Sequence, residues 1–280
     1  MTTQAYFLPQ SLNEATSLLE EHGPVLMVMA GGTIAMPLIN EGISMPEKVM
    51  GLRRAGLNYF SKPDGYYTIG AMTTLTQMLT QDEIPVLKTA ASNVGGWSIR
   101  NMGTVGGNLF APPPSGDFAV ALLALDASLK LVSKQGERVL PLEDFYTGFL
   151  TTALEPGELV AEVRVPAIRG KTAYLKYGRR HANTPAVVTV VASLELEGKK
   201  VTNARLAMNA VGPHPFRARK AEAILQGAKL DEQTINDAAT AAIEESEPFT
   251  DAVASEWYRR KMVGVYMKRA LEQIFESEEK

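Results

Sequence analysis

Along the first part of the chain, apolar residues recur at the spacing of one helix face and then give way to a short unbroken apolar run. In SLNEATSLLEEHG (residues 11–23), Leu12, Ala15, Leu18 and Leu19 share a face. Ser11 stands at the N-cap and Gly23 follows the last turn. PVLMVMAGGT then reads as a buried strand that runs into a glycine pair. YYTIGAM predicts a strand, and LTQMLTQ and PVLKTAASNVG predict helices. FAVALLALDA is apolar all round, the pattern of a buried helix. SLKLVSKQGERVLPLEDF alternates about Gln135 and Gly136, which predicts a hairpin.

The pattern changes in the second half. ELVAEVRVP alternates as a strand, and Pro166 to Lys171 read as a linker. AYLKYGRR, PAVVTVVASLELEGKK and VTNARLAMNAVGP predict three strands, the last two joined by a Gly198-Lys199 turn. From Ala218 to Phe275 the periodicity is helical, with Gly227 as an end signal. The chain therefore divides near residue 168 into an α/β part and an antiparallel sheet with helices.

Composition narrows the function classes. With 45% apolar and 21% charged residues among 280, the chain has ample core. A net charge of −3 leaves no basic footprint for nucleic acid. VLMVMA and AVVTVVASL are far short of the roughly 20 residues of a membrane span. The N-terminus lacks a basic segment followed by an apolar core, so the expected location is cytoplasmic. The absence of cysteine excludes disulfides, thiolate catalysis and cysteine-held iron–sulfur clusters within the chain. His22, His181 and His214 sit in separate segments, so no metal site is expected. There is no G-x-S-x-G elbow and no P-loop lysine, and AGGTIAM has the wrong spacing for G-x-G-x-x-G.

Two glycine pairs with neighbouring hydroxyls remain: Gly31-Gly32-Thr33, and Thr104 with Gly106-Gly107-Asn108. Backbone amides exposed by such loops form anion-binding concavities, and two of them suit a pyrophosphate clasped from both sides. Asp117 follows Asn108 by nine residues and is suited to accept from a ribose hydroxyl. Two tight turns and a helix-capping Asp would leave the same pattern, and composition does not separate the two readings. Arg100 reads either as a partner contact or, the favoured reading, as an arginine paired with an acid inside the fold. Arg179 and Arg180 read as a solvated strand edge, or as facing a nucleotide or a partner. Pro112 to Pro114 stiffen their loop.

MAGGT, IRNMGTVGGNLFAPPPSGDFAVALLALDA and AYLKYGRRHANTPAVVTVVASL together resemble the FAD-binding medium subunit of the molybdenum hydroxylases. That family includes the flavin subunits of carbon monoxide, nicotinate and quinoline dehydrogenases and the middle portion of xanthine dehydrogenase. The resemblance implies an α+β, two-subdomain FAD-binding fold of the vanillyl-alcohol-oxidase or cresol-methylhydroxylase type. A C-terminal domain of a small antiparallel sheet with helices completes it. The implied domains are 1–168, with subdomains about 1–58 and 59–168, and 169–280. Residue by residue, Val28, Met29, Ala30, Gly31, Gly32, Thr33, Ile34 and Ala35 match the first pyrophosphate loop. Thr104, Gly106, Gly107 and Asn108 match the second, and Asp117 matches an adenosine-side acid. Val94, Val160 and Lys176 match further cofactor contacts, and Trp97 and Trp257 are core, interface or flavin neighbours.

The implied function is electron transfer from iron–sulfur clusters through FAD to NAD, oxygen or a quinone-type acceptor. The molybdopterin and [2Fe-2S] clusters would sit on a large and a small partner subunit, in a heterohexamer built as a dimer of heterotrimers. No side chain of this chain is expected to be catalytic. Two departures stand out. Ile34-Ala35 replace a polar continuation of the first loop, and Asn183, Thr184 and Pro185 replace an acid and an aromatic or Ile near the flavin ring. A stand-alone reductase of the UDP-N-acetylenolpyruvylglucosamine type and a cofactor-free scaffold subunit are the alternatives.

Overall fold

In the computed structural model, which describes residues 3–278, the N-terminal apolar runs build a three-stranded parallel sheet. Lys48–Gly51 lies at its centre, between Ala5–Phe7 and Leu26–Met29. The helix Leu12–His22 joins the outer two; Ser11 accepts from the Glu14 amide at its start and Gly23 ends it at φ 56°. Only Leu26–Met29 is legible in the sequence. The other two strands span three and four residues and show no alternation, so pairing alone makes them strands.

The middle of the chain forms a five-stranded antiparallel sheet in the order Phe60–Ser61, Tyr66–Gly70, Leu159–Pro166, Ser128–Val132, Glu137–Pro141. The predicted hairpin turns at Gly136, with Ser128–Val132 pairing Glu137–Pro141. All eight residues of the helix Asp117–Ala124 are buried, as the unbroken apolarity of Phe118 to Ala124 requires. This helix lies between the helix Pro85–Asn93 and the C-terminal strands, and its core includes Tyr174, Val191 and Ala207 of those strands.

The C-terminal part is a four-stranded antiparallel sheet of Lys171–Gly178, Ala186–Glu197, Lys200–Asn209 and Phe216–Arg217. The helices Arg219–Leu225, Glu232–Glu245 and Glu256–Glu278 cover it. Arg259 is fully buried there. Its guanidinium donates to the carbonyls of Ala186, Val187 and Ala210 and pairs with Asp251. An ionic network fastens this part to the rest: Asp126 pairs with Arg205 and Arg217, and Glu143 pairs with Arg219. The connection expected at Pro166 to Lys171 is shorter than read, because strand structure runs through Pro166 and resumes at Lys171.

Candidate functional site

Segments far apart in sequence converge on one cleft of about 540 Å³. Residues 28–35, Val94, Thr104, Gly106, Gly107, Asn108, Asp117, Val160 and Lys176 all line it. Much of the wall is apolar, with a few polar groups converging, which is the usual make-up of a cofactor site.

The first glycine segment supplies free donors. The strand Leu26–Met29 ends just before it, and Gly32 takes φ 73°, a left-handed conformation that favours glycine. Among the described residues, the amides of Gly31, Gly32, Thr33 and Ile34 donate to no protein acceptor. Successive unpaired amides of this kind form a nest for an anion. Gly31 is glycine for a different reason. A Cβ there would stand 1.8 Å from the carbonyl oxygen of Met102, so the two glycine segments touch backbone to backbone.

The second segment, also on the cleft wall, spends its amides within the protein. Its residues form a short helix, Val105–Leu109, capped by Thr104. The amides are consumed internally: Gly106 donates to Ala71 (2.9 Å), Gly107 to the Thr104 hydroxyl (3.0 Å) and Asn108 to the Thr104 carbonyl (3.0 Å). Neither glycine adopts positive φ. Gly106 is glycine because a Cβ would come within 2.8 Å of the Ala71 carbonyl oxygen, and Gly107 faces Ala30 and Thr104. Two side-chain donors are left to this side, the Thr104 hydroxyl and the Asn108 amide. Asn108 Oδ1 accepts from the Phe118 and Ala119 amides, and Asn108 Nδ2 has no protein acceptor among the described residues.

Asp117 does not cap its helix. It is the first residue of its helix, and both carboxylate oxygens are engaged: Lys176 Nζ donates to Oδ2 and Thr189 Oγ1 to Oδ1, each at 2.8 Å. Burial pushes the Asp117 carboxyl above its ordinary value, against the pull of the Lys176 ammonium and the Thr189 hydroxyl. Lys176 also donates to the Asn93 carbonyl at 2.9 Å, so Asp117, Lys176 and the turn bearing Val94 form one cluster.

Arg100 meets carbonyls rather than the expected acid. It donates to Ser92 (3.2 Å), Val94 (3.2 Å) and Gly95 (2.8 Å), closing the C-terminal end of the helix Pro85–Asn93 and fixing Val94 in the wall. Trp97 and Trp257 are 64% and 69% exposed, so neither is core. Arg179 and Arg180 are exposed on the loop after Lys171–Gly178, and Pro113-Pro114 is a cis peptide bond. Asn183, Thr184 and Pro185 also line the cleft. No group of acidic or histidine side chains among the described residues could hold a metal ion.

The sequence reading missed an apolar wall of Met27, Leu38, Leu52, Leu154 and Leu159. Nothing local distinguishes such residues from core. Glu158 was missed too: it lines the cleft and accepts a two-bond clamp from Arg138 at 2.7 and 2.8 Å. The Arg138 guanidinium holds its carboxyl below the ordinary range.

Comparison with known proteins agrees with this architecture. The family described as FAD binding domain in molybdopterin dehydrogenase matches residues 1–168, and the CO dehydrogenase flavoprotein C-terminal domain matches residues 173–274. The chain is 32% identical to the glyceraldehyde dehydrogenase medium chain of Sulfolobus acidocaldarius, over 96% of this chain and 98% of that one. It is 30% identical to the carbon monoxide dehydrogenase medium chain of Afipia carboxidovorans, over 95% of each. Its fold superposes on a crystal structure of the Cu,Mo-CO dehydrogenase with a TM-score of 0.92 and 29% identity, covering 98% of this chain and 99% of that one. The two-subdomain FAD-binding fold with its C-terminal domain, the glycine segments and the relatives together place the chain in the FAD-binding medium-subunit family of the molybdenum hydroxylases.

Proposed function

We propose that the chain holds one non-covalent FAD in this cleft and acts as the electron-exit subunit of a multi-subunit molybdenum hydroxylase. One observation carries the reading: four successive amides, without a protein acceptor among the described residues, lie on the cleft wall, the first of them on a glycine where no Cβ can stand. The amides of Gly31 to Ile34 and the Asn108 Nδ2 would hold the diphosphate from two sides. Val94 and Val160 would supply apolar contact. Lys176 is the cation of the cleft, and Asp117 keeps it in position while Thr189 steadies Asp117. Arg100 acts through the turn that carries Val94. When bound, FAD supplies the exchange between single-electron carriers and the final acceptor. No side chain of this chain is assigned acid–base work.

With no cysteine in the chain, iron–sulfur clusters have to sit elsewhere. The reading therefore pairs this chain with a small subunit carrying [2Fe-2S] clusters and a large molybdopterin-binding subunit, as a cytoplasmic dimer of heterotrimers. Within the chain it assigns residues 1–168 to FAD binding and 169–280 to the covering domain. Electrons leave to NAD, oxygen or a quinone-type acceptor.

The test is acid precipitation of the purified protein followed by chromatography. One FAD per chain is expected in the supernatant, because His22, His181 and His214 lie outside both glycine segments. Flavin retained in the pellet, or FMN in the supernatant, would contradict the reading.

A further inference from the structure

A second cavity, of about 550 Å³, opens beside the cleft and shares Gly95, Lys176, Asn183 and Thr184 with it. Its charge is one-sided. Lys176, Arg179, Arg180 and His181 stand on its wall, and no Asp or Glu does. The whole chain carries more acids than Lys and Arg together, so this wall runs against its average. Lys176 is neutralised by Asp117. The two arginines are not neutralised. Among the described residues Arg179 reaches only the Ala252 carbonyl (3.3 Å) and Arg180 only the Asn183 carbonyl (2.9 Å).

A guanidinium carries five donors in a planar fork, so one carbonyl each leaves most of that capacity unused. Uncompensated cations around a concavity focus the field and raise the local concentration of anions. Tyr177 and Tyr266, stacked 5.3 Å apart, add an aromatic flank to the same wall. A merely solvated arginine pair would require no cavity and no continuity with the cofactor cleft; both are present.

We propose that this cavity binds and orients the electron acceptor, and that the acceptor is an organic anion bearing phosphate. This rests on the FAD reading above, and it chooses among the acceptors that reading leaves open. Paired guanidinium forks match phosphate oxygens, and the tyrosine flank suits an aromatic ring. Oxygen and an uncharged quinone gain nothing from either arginine.

The experiment titrates inorganic pyrophosphate into the FAD-loaded full-length chain by calorimetry, at low and high salt. Wild type is compared with a variant carrying both Arg179→Ala and Arg180→Ala. Saturable, salt-sensitive binding is expected in the wild type, weakened about tenfold or more in the double variant. In parallel, the dithionite-reduced flavin is reoxidised in stopped flow by ferricyanide, an anion, and by benzoquinone, which is neutral. The double variant is expected to slow the anion about tenfold while leaving the neutral acceptor unchanged. Pyrophosphate binding that is absent from the wild type, or equal in both proteins, would overturn the proposal. So would equal slowing of the two acceptors. Flavin absorbance is read on each sample. An empty wild-type chain counts against the FAD reading, whereas pyrophosphate failing with FAD in place counts against this cavity alone.

Discussion

Replacing Gly31 by alanine adds one methyl group where the two glycine segments touch. That Cβ would stand 1.8 Å from Met102 O, 2.7 Å from Met102 C and 3.1 Å from Gly103 Cα. All three are backbone atoms, so no side chain can swing aside. The segments would have to part by about 1.2 Å before the closest contact reached the ~3.0 Å that real Cβ atoms tolerate. The neighbouring backbone is not free to yield. Gly103 donates to Ile99 at 2.6 Å, and its carbonyl accepts from Leu75 at 2.9 Å. Overpacking of this kind costs about 1–3 kcal/mol of stability. Shifting the 31–34 amides also forfeits charge-assisted bonds to the diphosphate, at roughly 1.5–3 kcal/mol each. Two such bonds correspond to about two to four decades in FAD affinity. The control is Gly107→Ala. Its Cβ would meet Thr104 Oγ1 at 3.0 Å and Ala30 Cβ at 3.5 Å, in a helical conformation that alanine favours. Flavin per chain after dialysis and the melting temperature are measured on both variants. Gly31→Ala is expected to be folded and largely flavin-free, and Gly107→Ala to retain FAD within about tenfold of wild-type affinity. Full FAD binding by Gly31→Ala, or flavin loss confined to Gly107→Ala, would refute the division of labour between the two segments.

Lys176→Met strands the Asp117 carboxylate in the interior and should cost about 3–5 kcal/mol in urea unfolding, with much of it recovered when Asp117→Asn is added; a single variant as stable as wild type would exclude the buried pair. Arg100→Met leaves three carbonyls without their donor, and about 1–3 kcal/mol of lost stability should accompany weaker FAD binding. Hydrogen exchange in Ala186–Glu197 should stay unchanged, and faster exchange there would mean that the effect is global. Glu158→Gln should be slightly less stable than wild type near neutral pH, the effect being reduced by solvent around Arg138. The folded carboxyl titrates below its ordinary value of 4.5, so its stabilisation is present above that value and is lost as pH falls through the depressed one. The gap between the two melting curves should therefore close in acid, and a constant gap would show that Arg138 does not hold the carboxylate.

Local rules were sufficient wherever neighbours in sequence decide the conformation. Ser11 and Gly23 mark the ends of Leu12–His22, Gly136 closes its hairpin, and the uniform apolarity of 118–124 predicts burial. The glycine, threonine and asparagine clusters could be read because close backbone approach and capping require those residue types. What the clusters do was decided by contacts over long separations. Val105 and Gly106 give their amides to Thr73 and Ala71, which makes the second segment a capped helix on the cleft wall. Asp117 is claimed by Lys176 and Thr189, 59 and 72 residues later, and Gly31 is pinned by Met102. The parallel sheet follows the same logic, since Ala5–Phe7 and Lys48–Gly51 are strands only through each other and Leu26–Met29. The apolar wall of Leu52, Leu154 and Leu159 had no local signal at all. A leucine facing a cleft and a leucine in a core obey the same transfer energetics, and only the packed chain determines which space each one borders.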